Sequence, residues 1–214
     1  MFSLKELVHI VLAIILFAFV IWFFQDQSLI FSVFIIASVV ILVNVFAKKF
    51  AGRYFHTSVE MKTWEFQRWG YYVRSQFKKP KPVGIILPFL VVFASMGVIK
   101  MLTFLQTEIT PTIRRVIKKR GGVRRYAELT EWHNAWIISI GMLFNAGLVL
   151  VPLLIFRSDL LIDIAKYSVY YAAWNMIPLG KLDGTKIISL GFGWWLFIWF
   201  WILLASALLF FVVL

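Results

Sequence analysis

Long apolar stretches alternate with short polar ones along most of this chain. The apolar stretches cover residues 7–24, 29–47, 83–105, 133–156, 160–177 and 192–214. A helix needs roughly 20 residues, at 1.5 Å each, to cross a bilayer core of about 30 Å, and these stretches meet or approach that length. The pattern predicts an all-α polytopic membrane protein with about six transmembrane helices, folded as a single integral membrane domain over 1–214.

Two basic segments, 48–82 and 106–132, separate the apolar stretches and are expected to be loops. They carry nine and seven Lys or Arg residues. Six simple crossings would put them on opposite sides of the membrane, although Lys and Arg usually collect on one side. The third stretch contains Pro88, Gly97 and Lys100. We therefore expect it to be irregular or re-entrant, which would bring both basic segments to one side.

Composition supports a membrane location and limits the possible partners. Hydrophobic residues make up 62% of the chain and charged residues 15%, with a net charge of +12. The basic segments, including RRVIKKRGGVRR, suit contact with anionic lipid headgroups of a cell membrane, and nucleic acid is not an expected partner. The absence of cysteine excludes disulfides and thiolate metal ligands.

Polar residues inside the apolar stretches mark candidate sites, because they are costly to bury in lipid. They include His9, Asn44 and Asn145, and above all the segment NMIPLGKLDG at 175–184. Its proline removes a backbone donor and its glycines permit a turn, so this segment predicts a break in the helix that the protein must shelter. The alternative is an interfacial loop whose Asp183 faces water or caps the next helix.

This segment resembles a motif of the site-2 protease family of intramembrane zinc metalloproteases, N-x-x-P-x-x-x-L-D-G, at all five defined positions. The preceding span contains ISIGMLFNAG, which resembles the G-x-x-x-N element of that family, with Met142 where proline is usual. The resemblance implies a site-2-protease-like core. It also implies that Asp183 is a zinc ligand and that the substrate-binding residues are Asn145, Asn175 and Pro178.

The same resemblance predicts HExxH on the second span, and there the chain departs from the family. Aligning Ala51 with the family alanine puts Val43 and Ala47 at the positions of the two histidines and Asn44 at the position of the base, in the sequence VNVFA. No metal-binding histidine and no general base remain. We therefore expect a catalytically degenerate pseudoprotease with a vestigial Asp183, no cofactor, and a transmembrane segment of another protein as its ligand.

Two other functions stay open. The first is an active zinc protease with non-standard ligands, using Asp183 with His9 or His56, the latter sharing a face with Glu60 if HTSVE is helical. The second is a membrane scaffold, insertase or transporter component. The intramembrane charges that transport would need are few, chiefly Lys100, Asp163 and Lys166.

Overall fold

The computed structural model describes residues 2–23, 30–68, 76–112, 130–154 and 157–213. Its helices are α1 (Leu4–Trp22), α2 (Ile30–Tyr54), α3 (Val83–Ala94), α4 (Glu131–Gly147), α5 (Leu150–Leu154), α6 (Asp159–Asn175), α7 (Asp183–Ile188) and α8 (Phe192–Val213). Its strands are β1 (Thr57–Thr63), β2 (Phe66–Arg68), β3 (Gln76–Lys81) and β4 (Leu105–Pro111). The run RRVIKKRGGVRR lies outside the described residues.

Among the described helices, four are long and apolar enough to cross a membrane. They are α1, α2, the α4–α5 pair from Glu131 to Leu154, and α8. The chain is therefore a mainly helical, multi-pass membrane protein, as its composition predicts. The fifth predicted span corresponds to α6, which has 17 residues and includes Asp159, Asp163 and Lys166. The predicted count of six spans is thus not reached within the described ranges.

Both ends of the third apolar stretch, residues 83–105, are hydrogen-bonded to the same residue, Trp64. Helix α3 ends at Ala94, and Met96 and Gly97 turn the chain with φ values of 50° and 78°. The backbone N–H of Gly84 donates to the carbonyl of Trp64, and the N–H of Trp64 donates to the carbonyl of Phe104, both at 2.8 Å. Because Trp64 touches both ends of the stretch, residues 83–105 form an out-and-back excursion rather than a single crossing helix.

The tip of this excursion reaches the C-terminal end of α1. Phe89 and Phe93 of α3 pack on Phe19 and Phe23, each pair with ring centroids 4.8 Å apart. Lys100 follows the turn, and its Nζ donates to the carbonyl of Ile21 and to the hydroxyl of Tyr167, each at 3.3 Å. A cation beside the last carbonyls of a helix is favourable, because those oxygens carry the negative end of the helix dipole.

The two basic segments are not wholly irregular loops, and this corrects the sequence prediction. Helix α2 continues to Tyr54, past the predicted end at residue 47. Strand β1 follows almost at once and pairs antiparallel with β4, so that Ser58 lies opposite Thr110. Strands β2 and β3 form a second antiparallel pair. Strands β1 and β4, one from each segment, therefore meet in a two-stranded sheet that is separate from the β2–β3 pair.

Helix α2 belongs to the first of the two main groups of buried side chains, which also takes in Ile137 of α4. The first group joins α1, α2, α3, α6 and the β1–β4 sheet, and the second joins α4, α6, α7 and α8. Helices α2 and α4 run antiparallel against each other. Phe55, just after α2, contacts Trp132 at the start of α4, with ring centroids 5.9 Å apart. Nearer the middle of both helices, Lys48 lies against Gly141.

Candidate functional site

A buried ion pair joins α2 to the start of α7. The Nζ of Lys48 lies 2.5 Å from Oδ2 of Asp183, and each side chain is only 2% exposed. The same Nζ donates to Oγ1 of Thr107 on β4 at 3.2 Å. The pair therefore links three elements that are far apart in the sequence. An ion pair taken out of water in this way is held by its mutual attraction and its added hydrogen bonds.

Gly141 makes room for the stem of Lys48. A Cβ added at Gly141 would lie 2.6 Å from Cε and 2.7 Å from Cγ of Lys48. Any larger residue at this position of α4 would overlap the lysine. The glycine of the G-x-x-x-N element thus has a direct role here, since it lets the Lys48 side chain pass between α2 and α4.

Thr107 connects the ion pair to a second lysine on α7. Its hydroxyl accepts from Lys48, while its backbone carbonyl accepts from Nζ of Lys186. Burial lowers the pKa of Lys186, and the nearby Asp183 carboxylate opposes that shift. Lys186 also lines a cavity of about 330 Å³ together with Glu108 and Asn134. On the side of β4, the ion pair is therefore surrounded by further polar groups, namely Thr107 and Lys186.

The turn that carries Asp183 is held by buried contacts on both sides. Asn175 ends α6, and its Nδ2 donates to the carbonyls of Tyr171 and Leu102 at 2.8 and 3.2 Å. A Cβ at Gly184 would strike the backbone carbonyl of Met176, so only glycine fits there. Leu182 is fully buried against Trp64 and Met101. The predicted shelter of this irregular backbone comes from the out-and-back excursion and from Trp64.

The predicted site residues are brought together only in part. Asn44, Asn145, Asn175 and Asp183 are all buried to within 1% exposure. Pro178, which the resemblance would make substrate-binding, lies exposed in the turn. Val43 is half-buried and points toward a cavity between α2 and α4, and no donor atom exists on it or on buried Ala47.

Several buried polar atoms near the ion pair have no hydrogen-bond partner within the described part of the chain. They are Nδ2 of Asn44, both amide atoms of Asn145, and Oδ1 of Asn175 and of Asp183. Asn44 lies one turn before Lys48 on α2, and Asn145 lies one turn after Gly141 on α4. Since these two helices are antiparallel, both asparagines sit about one turn, roughly 5–6 Å, to the same side of the Lys48–Gly141 contact.

The donor set does not fit a zinc centre. Across the described ranges, no three His, Cys, Asp or Glu residues are grouped closely enough to hold a metal ion. His9 bonds Thr63 through Nδ1 at 2.8 Å, and His56 is exposed in the turn between α2 and β1. Glu60 lies on β1, so the predicted helical face shared by His56 and Glu60 does not exist. Catalytic zinc needs about three protein ligands.

Two apolar cavities border α4. The first, which we call the α2–α4 cavity, measures about 530 Å³ and is lined by Val43, Leu143, Phe144, Gly147 and Leu148. Val43 and Phe144 directly precede Asn44 and Asn145 in the sequence, but the two asparagines are buried and do not line this cavity. The second, of about 490 Å³, lies between α4 and α8 and includes Trp136, Trp194 and Trp201. Both have the apolar lining expected of clefts that face lipid.

The charges considered for transport lie apart from the buried ion pair. Lys100 is fixed at Ile21 near the end of α1, whereas Lys49, next to Lys48, pairs with Glu6 near its start at 2.8 Å. Fifteen helical residues separate Glu6 from Ile21, or roughly 22 Å. Lys100 therefore lies near the opposite end of α1 from the Lys49–Glu6 pair that neighbours Lys48.

Lys48 is the buried cation that the sequence pattern does not single out, because a lysine in a basic segment is expected to serve topology. One signal was available. Lys48 follows Asn44 by four residues, and such residues share one helix face. Had α2 been continued beyond residue 47, the lysine would have fallen on the same buried face as Asn44.

Comparison with known proteins gives no relative for this chain. It matches no family model, no curated protein and no solved structure.

Proposed function

We propose that this chain is a catalytically degenerate relative of the site-2 proteases, located in a cell membrane, that binds a transmembrane segment of another protein. One observation carries the proposal: Lys48, Gly141 and Asp183 are in contact. These residues belong to the three separate segments that the resemblance singles out. A chance likeness confined to NMIPLGKLDG would give no reason for α2 and the G-x-x-x-N element to meet there.

Peptide hydrolysis needs a group that takes a proton from water and an electrophile that polarises the carbonyl. Asn44 cannot accept a proton, and Val43 and Ala47 offer no ligand atoms. The one carboxylate of the centre, Asp183, is already bound to an ammonium. The chemistry of these residues favours binding over cleavage.

The α2–α4 cavity is the part of the molecule that suits a transmembrane segment. Its lining is apolar, and a Cβ added at Gly147 would meet nothing within 4 Å. Helices in membranes associate through small residues that allow close approach and through polar side chains at the contact. Gly147 supplies the first feature, whereas the buried Asn44 and Asn145 are not among the residues that line the cavity.

Site-specific cross-linking tests the binding function. A photoreactive residue at Phe144, which is exposed beside the cavity, is expected to capture a defined transmembrane peptide of another protein, identified by mass spectrometry. Gly147→Trp should abolish that adduct by filling the cavity. The matched control is Gly193→Trp on α8, because Gly193 also has open space around it. Lipid adducts alone, or adducts equally sensitive to both tryptophans, would contradict the proposal.

Metal analysis tests the absence of catalysis. Purified protein should carry no stoichiometric zinc and should not cleave the captured segment when zinc is added. About one tightly bound zinc per chain, together with cleavage that disappears in Asp183→Ala, would instead establish an active protease with non-standard ligands.

A further inference from the structure

We propose that the Lys48 ammonium is the built-in cation of this centre, standing where a metal ion would otherwise neutralise Asp183. The inference deepens the proposed function, on which it rests for the meaning of the site. It also identifies which face of α2 opposes Asp183: the face that carries Asn44 and Lys48. The alignment by resemblance had placed the missing histidines at Val43 and Ala47.

The first step of the argument concerns charge. A carboxylate buried to the extent of Asp183 stays ionised only beside a cation or several donors. Oδ2 of Asp183 receives the Lys48 ammonium at 2.5 Å, while Oδ1 has no hydrogen-bond partner among the described residues. Lysine and a metal ion would compete for the same oxygen atoms. One fixed positive charge therefore takes the place of an exchangeable one.

The second step concerns shape. Lysine reaches Asp183 only because Gly141 leaves space for its methylene stem, which fills the gap between α2 and α4. Thr107 then holds the ammonium from the β4 side. The stem is thus held against α4 and the amino group between Asp183 and Thr107, which is the arrangement expected of a permanent component of the site.

The third step concerns register. Asn44 and Lys48 are each 1% exposed, whereas Val43 lines the α2–α4 cavity beside Phe144. Side chains four residues apart on a helix share one face, so histidines at 44 and 48 would present two nitrogens toward Asp183. With the carboxylate, they would supply the three protein ligands of a zinc site.

The experiment exchanges the built-in cation for a metal. Asn44→His/Lys48→His is expected to bind about one zinc per chain, measured by metal analysis and by the absorption spectrum of the cobalt(II) form. Val43→His/Ala47→His, which keeps Lys48, should bind none. Adding Asp183→Asn to the first variant should abolish binding. Wild-type protein that binds zinc, or a first variant that binds none or binds it regardless of Asp183, would overturn the proposal.

A second measurement covers failure of the histidine variant to fold. Lys48→Met should lower the yield of monodisperse protein, and Lys48→Met/Asp183→Asn should recover it, since the unpaired carboxylate is then gone. A Lys48→Met protein as stable as wild type would overturn the proposal. Zinc binding and folded yield do not depend on any partner. The zinc and yield measurements can therefore give the expected results while cross-linking at Phe144 does not, or the reverse.

Discussion

The two lysines that follow the second apolar stretch both form ion pairs with other helices. Lys48 pairs with Asp183, and Lys49 pairs with Glu6 while also donating to the carbonyl of Val59. Glu6 accepts the backbone N–H of Met61 at 3.1 Å with its second oxygen. Neighbouring residues on a helix point about 100° apart, so α2 is tied on one side to α7 and on another to α1 and β1.

Removing the Lys48 ammonium should destabilise the protein strongly. Lys48→Met leaves Asp183 buried without its cation, and breaking a buried pair from one side costs about 3–5 kcal/mol. The free energy of unfolding in mixed detergent micelles measures the loss. Lys48→Met/Asp183→Asn should recover most of it, because no unpaired charge remains.

The exposed pair between Lys62 and Glu108 provides the control. Its side chains are 42% and 39% exposed, so Lys62→Met should change stability by no more than about 1 kcal/mol. The hydrogen bond to Glu108 raises the pKa of Lys62 above its ordinary 10.5. The small contribution of this ion pair to the free energy of unfolding is therefore fully present at neutral pH and is lost only as the pH rises above 10.5 and through the raised pKa. Equal losses for both lysines would refute the distinction between the two pairs.

Gly141 offers a separate test of the same contact. Gly141→Ala should cost about 1–3 kcal/mol, because the new methyl group overlaps the Lys48 stem. The overlap should vanish in a Lys48→Ala/Asp183→Asn background, so the effects of the substitutions should be non-additive. Gly193→Ala, with nothing near its Cβ, is the control. A loss of equal size in both backgrounds would mean that Gly141 acts through something other than Lys48.

At the level of residues, the sequence indicates the carboxylate of the ion pair, Asp183, but not the lysine that binds it. Asp183 and Asn175 stand out because a polar, proline-containing segment in an apolar chain is unusual, and both prove to be buried. Lys48 does not stand out, since a lysine after a span normally serves topology. Pro178, which the resemblance would make substrate-binding, is exposed in the turn, whereas the other motif residues named here are buried.

At the level of elements, the distribution of charge predicts the re-entrant course of residues 83–105, which hydropathy does not. Hydropathy alone makes 83–105 a span, whereas the surplus of cations in both flanking segments argues that they share a side. The strands are the part that sequence patterns missed. Pairing of β1 with β4 joins residues about 50 positions apart, and such pairing depends on partners that no local pattern reveals.

Thiol labelling tests the shared side, and the cysteine-free chain makes it clean. Single cysteines at Ser58 and Thr110, which lie opposite each other in the sheet, should react with an impermeant maleimide from the same face of sealed vesicles. Asp159→Cys, at the far end of the α4–α5 span, should react only from the other face. Labelling of Ser58→Cys and Thr110→Cys from opposite faces would show that 83–105 crosses the membrane.

At the level of the whole molecule, the described structure consists of two parts that meet at α2. The described residues up to 112 form the first part and α4 to α8 form the second, and α6 packs in both groups of buried side chains. The contacts between the parts include the α2–α4 face, the Lys48–Asp183 pair and the bond from Asn175 to Leu102. The Lys49–Glu6 pair, by contrast, lies wholly within the first part.

This division predicts how the protein behaves once its chain is cut. A protease site inserted between residues 113 and 129 should yield two fragments that still purify together, since the contacts across α2 do not depend on that connection. Lys48→Met should lower the fraction of co-purified fragment, because it removes a buried ion pair between the parts. Lys49→Met removes an ion pair inside one part only, so it should leave that fraction near the wild-type value. If both substitutions separated the fragments equally, general loss of stability rather than the Lys48 link would account for the separation.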